Sequence, residues 1–459
     1  MNLQKENLKY FEEYQNLLKE NRTSEAIFLL EQKAQMILNI LGIAYSSETK
    51  NQEKAQTCFE TVLKIDPTNI NACSNLAHIS NVMENFEKGL AFAHRSIIYS
   101  NGTSYEAYYN QGVILLAMGR TQDAKKAFEE SLKLDPKSHN SNYNFGLALL
   151  KTGICQQGWD QYEWRFKSNK MCEIFGKRCQ KMWNGEDIKD KTLFIFNEQG
   201  YGDFFFFLRF IPEIRKLGCK IICEIQEVLL PIAKKIFSEE EILIRPDIGV
   251  LPSLPKSDYQ VSICSLAKIF KIDEESKIPP NIRIEGIRKN NLSCPSENQL
   301  KVGICWFGNM NHVKDHLRST YIRNFKPILD IPGVTFFGLG KNKNMTRNWS
   351  CGHVNLNCDI EKLNIIDLDS QTENFGDLAN QIDQMDLVIT VDTVVAHLAG
   401  MLGKKTFLIL GLESDFRWQE ERQDTPWYPS IQIFRFDKTW EKTILNVKEE
   451  FLKFFHGEI

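Results

Sequence analysis

Residues 386–400 read Asp386-Leu-Val-Ile-Thr-Val-Asp-Thr-Val-Val-Ala-His-Leu-Ala-Gly400, and this stretch decides the fold of the C-terminal part of the chain. The continuous apolar run from Leu387 to Val391 is typical of a strand buried on both faces of a parallel sheet. Asp392 and Thr393 follow at once, and either side chain can cap the helix predicted after them. Such a turn places unpaired backbone N–H groups and the positive end of a helix dipole at the carboxyl edge of the sheet. We therefore expect an α/β domain with a phosphate or nucleotide site at this turn.

Size and composition indicate a soluble protein of several domains. The chain has 459 residues, of which 42% are hydrophobic and 25% charged, so two to four domains are expected. A net charge of −3 gives no electrostatic case for binding nucleic acid or an anionic membrane. The polar N-terminus has no apolar signal core, and we expect no stretch of the roughly 20 apolar residues that span a bilayer. The twelve cysteines show neither metal-site spacing nor a disulfide pattern, which predicts no metal site and a cytoplasmic location.

A repeat occupies the first third of the chain. Small residues recur at Gly42, Ala77, Gly112 and Gly146, at spacings of 35, 35 and 34 residues, each within one predicted helix and followed by another. This pattern resembles the tetratricopeptide repeat, which has a period of 34 residues and small residues where its two helices touch. Stacked repeats form a concave surface that commonly binds a peptide or protein. A spacer or a dimerisation element is the alternative that the pattern leaves open.

Two α/β halves follow the repeats. The helical pattern ends near residue 166, residues 167–191 are predicted to be a linker, and strands then alternate with helices in residues 192–290 and 300–459. This alternation predicts parallel sheets. The predicted fold class is therefore α + α/β, with a helical domain over residues 1–166 and two α/β domains after it.

Four segments carry a resemblance to a known family: Glu198-Gln-Gly-Tyr-Gly-Asp203, Gly303 to Asn309, Asp386 to Gly400, and Pro426-Trp-Tyr-Pro429. With them, residues 192–459 resemble a GT-B glycosyltransferase with two Rossmann domains, similar to the ADP-heptose glycosyltransferase family (family 9) and to bacterial repeat proteins that carry such a domain. The resemblance implies metal-independent, inverting transfer from a nucleotide sugar, with no cofactor beyond that donor substrate.

The resemblance implies that Asp203 is the catalytic base. An inverting transfer needs a carboxylate that accepts the proton of the acceptor, and a positioned base typically contributes about 10²- to 10⁴-fold. From the residues alone, the competing interpretation is that Asp203 only caps the helix that follows it.

Three residues are implied to bind the donor nucleotide after the strand Leu387 to Val391. Asp392 and Thr393 form the turn whose backbone N–H groups would hold the diphosphate. His397, one turn further along the helix, either donates a hydrogen bond to a phosphate oxygen or packs against the sheet.

Cations are needed as well, because a helix end contributes only roughly 0.3–1 kcal/mol per interaction at an exposed site. The loop that begins at Asn309 supplies Lys314 and Arg318, which are implied to contact the diphosphate or the sugar, unless the loop is simply a solvated polar segment. Arg417 is implied to border the base or sugar pocket.

Three further features bear on these expectations. Asp367-Leu-Asp369 has the spacing of a metal motif, but it lies at a predicted strand end, and we interpret Asp367 as structural. The run Phe204-Phe-Phe206 follows the predicted base where polar residues are usual, which predicts an apolar acceptor side if the rings face the cleft. Val394 also replaces a smaller residue of the family pattern, so the donor cannot be inherited from the resemblance.

The leading hypothesis is a glycosyltransferase whose acceptor is a protein side chain presented by the repeats. A lipopolysaccharide or capsule saccharide as acceptor is the second hypothesis. A non-catalytic scaffold with a degenerate transferase domain is the third. The predicted partners are a nucleotide sugar, the acceptor and a protein bound in the repeat groove, with no nucleic acid and no membrane span.

Overall fold

The computed structural model describes residues 2–167, 181–245, 254–284, 287, 292, 299–309, 312, 315–340, 363, 365–368 and 371–458. Contacts within the chain divide it into two compact units, Met1–Phe145 and Gly146–Ile459. The predicted fold class is confirmed, since a helical repeat region is followed by an α/β region with two parallel sheets.

The first part of the chain is a series of antiparallel helix pairs. Its helices are α1 (Asn2–Lys19), α2 (Thr23–Ser46), α3 (Gln52–Ile65), α4 (Ile70–Val82), α5 (Phe86–Tyr99), α6 (Tyr105–Ala117), α7 (Thr121–Leu134) and α8 (His139–Thr152). The small residues lie where the sequence predicts close helix contact. A Cβ atom at Gly42 would lie 2.6 Å from the Phe59 ring, and one at Gly112 would lie 2.5 Å from the Phe128 ring. A side chain at either position would therefore push the two helices of its pair apart.

Helix α2 bears on the expectation that no stretch of the chain is apolar enough to span a bilayer. Within the part of the chain that the structure describes, α2 is the one helix long and apolar enough to cross a membrane, so that expectation about composition was wrong. Length and composition alone support that statement, and α2 also packs on α3 through Gly42 and Phe59. The expectation that the chain has no membrane span stays a prediction.

The second unit begins within α8, continues with α9 (Gln156–Tyr162) and contains two sheets whose paired strands are all parallel. The first sheet has the order β3-β2-β1-β4 and the second the order β10-β9-β8-β5-β6-β7. The strands are β1 (Thr192–Phe196), β2 (Lys220–Gln226), β3 (Ile242–Arg245), β4 (Tyr259–Ser262), β5 (Leu300–Cys305), β6 (Val334–Gly338), β7 (Ile365–Asp367), β8 (Leu387–Val391), β9 (Thr406–Leu410) and β10 (Ile431–Arg435).

Short helices connect the strands, and a long one closes the chain. They are α10 (Tyr201–Phe207), α11 (Ile211–Lys216), α12 (Leu230–Ala233), α13 (Leu266–Ile269), α14 (Asp315–Arg318), α15 (Lys326–Leu329), α16 (Phe375–Asp383), α17 (Val394–Met401) and α18 (Trp440–Phe455). In the second sheet, apolar residues of β5, β8 and β9 form one core with Ile444, Val447 and Phe451 of α18. This core holds the carboxyl ends of β5, β8 and β9 beside one another.

The boundary between the two units differs from the predicted position near residue 166. Residues 146–166 belong to the α/β unit, because the side chain of Trp159 is only 1% exposed and packs edge-on against Phe207, Phe416 and Trp427. Most of the predicted linker, residues 168–180, lies outside the described residues.

Candidate functional site

The turn after β1 brings Asp203 to the carboxyl end of the first sheet. One carboxylate oxygen, Oδ2, accepts a hydrogen bond from the backbone N–H of Gly200 at 3.0 Å, so Asp203 does cap α10. The other oxygen, Oδ1, pairs with the guanidinium of Arg417. The side chain keeps 19% of its surface exposed. Burial raises the pKa of Asp203 above its usual value, although the charge of Arg417 opposes the shift.

Arg417 joins the two sheets. It follows β9 of the second sheet and also binds Asp415 at 2.8 Å, so two carboxylates share one guanidinium. Its guanidinium lies 4.7 Å from the centre of the Phe206 ring and 4.6 Å from that of Phe416. With a side chain 6% exposed, Arg417 is held in place from several sides.

The turn after β8 has the predicted form. Thr393 is the N-terminal cap of α17, and its hydroxyl oxygen accepts a hydrogen bond from the Val395 backbone N–H at 3.2 Å. Asp392 is half-buried beside it. Burial, together with the nearby charge of Asp415, raises the pKa of Asp392 to about 6, while Arg318 and Arg417 act in the opposite direction. Charges in three loops thus act on one another: Asp392 after β8, Asp415 and Arg417 after β9, and Arg318 after β5.

His397 lies one turn into α17 and is 6% exposed. Its Nδ1 atom is 3.1 Å from the Tyr428 hydroxyl oxygen, and its ring stacks on that of Trp418 with centroids 5.2 Å apart. Burial, followed by the charges of Arg417 and Arg209, lowers the pKa of His397 well below its ordinary value. His397 thus packs against Trp418 and Tyr428, and its remaining nitrogen, Nε2, faces the turn after β1 at Gly202. A hydrogen bond from His397 to a phosphate stays a prediction.

The loop after β5 is described in part. Asn309 is exposed, and Lys314 lies outside the described residues. Arg318, whose side chain is 23% exposed, donates from Nε to the buried carboxylate of Asp315 at 2.9 Å. Ser319 connects this carboxylate to the strand end, because its hydroxyl donates to Asp315 at 2.8 Å and accepts from the Gly308 N–H at 2.9 Å. Arg318 is thus the predicted loop cation whose position the structure gives.

The phenylalanine run after Asp203 does not form an exposed apolar surface. The residues from Phe204 to Phe207 are all at most 1% exposed. Phe205 packs against Phe375 of α16, and Phe206 packs against Trp427. These rings join the first sheet's helix to the second half of the unit, which corrects the expectation that they make the acceptor side apolar.

Sequence reasoning missed two buried arginines. Arg165 contacts Glu198 at 2.7 Å and the hydroxyl oxygen of Ser265 at 2.7 Å, directly behind the turn after β1. Arg209 is 2% exposed, and its guanidinium lies over the Trp427 and Tyr428 rings at 5.3 and 4.9 Å. Arg209 follows the Glu198 to Asp203 motif closely in the sequence, whereas Arg165 reaches that motif only in the folded chain.

The arrangement combines a partly exposed carboxylate with groups suited to an anion. Asp203 lies at the first sheet's edge, while Arg318 and the capped end of α17 lie at the second. Asp367, the described half of the Asp-x-Asp pair, is exposed at the end of β7, as expected, and Asp369 lies outside the described residues. No group of three or more possible metal ligands occurs among the described residues.

Two comparisons cover most of the chain. Protein FlbA of Caulobacter vibrioides is 25% identical over 369 residues, covering 74% of this chain and 60% of the relative, so the match spans less than two thirds of that protein. A variant of the O-GlcNAc transferase of Thermobaculum terrenum is 10% identical, with a TM-score of 0.36 over 91% of this chain and 90% of that one. A likeness at this TM-score says nothing about the site.

The remaining comparisons concern the repeats. The second TPR domain of human RPAP3, in complex with an HSP70 peptide, is 18% identical, with a TM-score of 0.24 over 26% of this chain and 98% of that one. Sequence models of the tetratricopeptide repeat match residues 37–69 and 105–138. These matched segments coincide with helix pairs that pack through Gly42 and Gly112, and the N-terminal part of the chain therefore contains tetratricopeptide repeats.

Proposed function

We propose that this protein is a glycosyltransferase that moves a sugar from a nucleotide donor to an acceptor. The observation that carries the proposal is the contact between Asp203, after the first strand of one sheet, and Arg417, after a strand of the other. In open α/β folds, ligands bind outside the carboxyl ends of parallel strands. Two sheets that meet at such ends provide one site for a donor and one for an acceptor.

Asp203 is the proposed base. A carboxylate has about four lone-pair positions, and Gly200 and Arg417 occupy one on each oxygen. The remaining positions are free to accept a proton from an acceptor hydroxyl or amide as the sugar carbon becomes cationic. At the same time, the acceptor oxygen or nitrogen forms a bond to the anomeric carbon from the face opposite the phosphate. The bond from that carbon to the phosphate oxygen breaks, and the nucleotide leaves with the electron pair, so the anomeric carbon is inverted.

The nucleotide phosphates are proposed to bind at the second sheet. The N-terminus of α17 presents backbone N–H groups after Thr393, and Arg318 adds a positive charge from the loop after β5. Fixed donors of this kind stabilise the charge that develops on a leaving group. Asp392, His397, Asn309 and Lys314 complete the proposed nucleotide side, and no cofactor is required beyond the donor substrate.

The proposed acceptor is a protein side chain. The support for it is the tetratricopeptide repeats, because surfaces of this kind commonly bind peptides. A saccharide acceptor would leave the repeats to recruit a partner instead.

The first experiment is a thermal-shift screen of the purified protein against UDP, GDP, CDP, ADP, CMP and TDP, with and without their common sugars. A ligand that binds the folded state raises its stability by RT ln(1 + [L]/Kd), so a selective shift identifies the donor class. No shift with any of them at millimolar concentration would overturn the proposal and favour the scaffold hypothesis.

The second experiment tests the base. In the variant Asp203→Asn, the amide oxygen can still cap Gly200, but the charge is lost. Turnover of the selected nucleotide sugar should fall about 10²- to 10⁴-fold. The matched control is Asp377→Asn, since Asp377 caps α16 in the same way, accepting from the Asn374 N–H at 3.2 Å. Equal turnover in both variants would remove Asp203 from the mechanism.

A further inference from the structure

His397 lies where the two sheets' helices meet. Its ring is held on one face by Trp418 and at Nδ1 by the Tyr428 hydroxyl. The opposite edge of the ring faces α10, because a Cβ atom at Gly202 would lie 2.8 Å from Cδ2 and 3.2 Å from Nε2. Glycine at position 202 therefore leaves the space that this edge of the imidazole uses. Nε2 is thus directed at the residue next to Asp203.

The surroundings keep the imidazole neutral. Burial and the positive charges of Arg417 and Arg209 all disfavour a second proton on His397. A neutral imidazole has one N–H donor and one acceptor nitrogen, and the partner of one nitrogen decides which is which. The role of Nε2 therefore depends on the direction of the hydrogen bond between Nδ1 and Tyr428.

Arg209 sets that direction. Its guanidinium donates from Nε to the Phe206 carbonyl at 2.9 Å and from Nη1 to the Trp427 carbonyl at 3.0 Å, and it lies over the Tyr428 ring. No acidic side chain among the described residues forms an ion pair with it. An arginine carries only donors and cannot lose its charge in a protein. Its field therefore favours the phenol oxygen turned toward the cation and the phenol hydrogen turned away, toward Nδ1 of His397.

Burial also raises the pKa of Tyr428, so its hydroxyl keeps its proton at neutral pH. If that proton is donated to Nδ1, the histidine proton must reside on Nε2, beside Gly202. A neutral histidine that presents N–H can donate to an anionic oxygen without exchanging a proton with it.

We propose that Arg209 and Tyr428 are positioning residues that hold His397 as the Nε2–H tautomer, which donates a hydrogen bond to a phosphate oxygen of the donor nucleotide. This inference rests on the proposed function for its ligand, but the tautomer itself can be measured without any ligand. No covalent bond changes in this step, and the proton stays on Nε2.

The test uses the full-length protein with ¹⁵N-labelled histidine. Long-range ¹H–¹⁵N correlation spectra distinguish the two neutral tautomers, and a His397→Gln spectrum assigns the signal among the eight histidines. The wild type should show the Nε2–H pattern. Tyr428→Phe should shift the population toward Nδ1–H and weaken binding of the nucleotide selected from UDP, GDP, CDP, ADP, CMP and TDP by about tenfold or more. Tyr259→Phe, which removes a hydroxyl that contacts Lys181 at the amino end of β4, should change neither quantity.

The outcomes separate this inference from the proposed function. An Nδ1–H or doubly protonated His397 in the wild type would overturn the inference whether or not a nucleotide binds, and that result does not require Tyr428→Phe to fold. An unchanged tautomer and unchanged affinity in a folded Tyr428→Phe variant would equally overturn it. If no nucleotide binds the wild type, the proposed function fails, and so does the proposed hydrogen bond from His397 to a phosphate. A tautomer shift in Tyr428→Phe would still support the positioning roles of Arg209 and Tyr428.

Discussion

At the scale of single residues, Asp392 carries a charge that the fold does not favour. Burial and the neighbouring Asp415 raise its pKa to about 6, from an ordinary value of 3.8. The folded state thus prefers the protonated acid, so this stability contribution is fully present below about pH 4 and is lost as the pH rises through about 6. A carboxylate whose ionisation lowers the stability of the fold, next to a strand-to-helix turn that could bind a phosphate, is typical of functional sites.

The variant Asp392→Asn should therefore stabilise the protein at pH 7.5. Asparagine resembles the neutral acid, and a shift of about two pKa units corresponds to roughly 2–3 kcal/mol. Melting measured by differential scanning calorimetry should rise at pH 7.5 and stay near the wild-type value at pH 4. The control Asp330→Asn removes an exposed carboxylate paired with Lys326, and it should change melting little at either pH. A gain at pH 4 but none at pH 7.5 would contradict the pKa assignment.

Sequence reasoning reached some of these residues and not others. Strand-to-helix turns are local, so Asp203 and Thr393 could be placed at the ends of β1 and β8 in advance. The partners of these turns are distant in sequence, as Arg417 is from Asp203, and only the folded chain brings them together. The structure shows that Asp203 caps its helix, and its catalytic role remains a prediction.

At the scale of elements, the close packing of the helix pairs in the repeats depends on glycine at the points where the two helices touch. Gly112 in α6 lies against the Phe128 ring of α7, and Phe128 is fully buried. Alanine normally favours a helix over glycine by about 0.5–1 kcal/mol. At this contact we expect the opposite sign, because overpacking a core typically costs about 1–3 kcal/mol.

The variant Gly112→Ala should therefore lower the melting temperature of the repeat region, followed by circular dichroism at 222 nm. Gly153→Ala is the control, because a Cβ atom there would meet no atom within 4 Å. It should leave melting unchanged or slightly raised. Equal melting of the two variants would show that α6 and α7 separate without cost.

Continuous apolar runs such as β8 and β9 are buried along their whole length, and this pattern identifies them as strands in the sequence. The strands β4 and β10 mix polar and apolar residues, so no continuous apolar run marks them in the sequence. The helix predicted after Asp203 is also divided, since a 3₁₀ turn at Leu208–Phe210 separates α10 from α11.

At the scale of the whole molecule, the α/β unit includes a segment that the repeat pattern assigned to the helical domain. The aromatic cluster of Trp159, Phe207, Phe416 and Trp427 joins α9 to both halves of the unit. Lys151 of α8 adds a contact, because its carbonyl accepts from the Glu420 N–H at 2.9 Å. The repeat period could not reveal that residues 146–166 belong to the α/β unit, since Gly146 and Tyr162 also fit the spacing of the repeats.

Two shortened chains should therefore behave differently. A chain of residues 139–459 keeps α8 and α9 and should fold cooperatively. A chain of residues 167–459 exposes the aromatic cluster and should melt at lower temperature or bind the dye ANS. In the full-length protein, Trp159→Ala should cost about 3–5 kcal/mol, because removal of a large buried ring leaves a cavity. Differential scanning calorimetry checks all three proteins, and equal melting of the two shortened chains would place the true boundary at residue 166 and make α9 an appendage of the repeats.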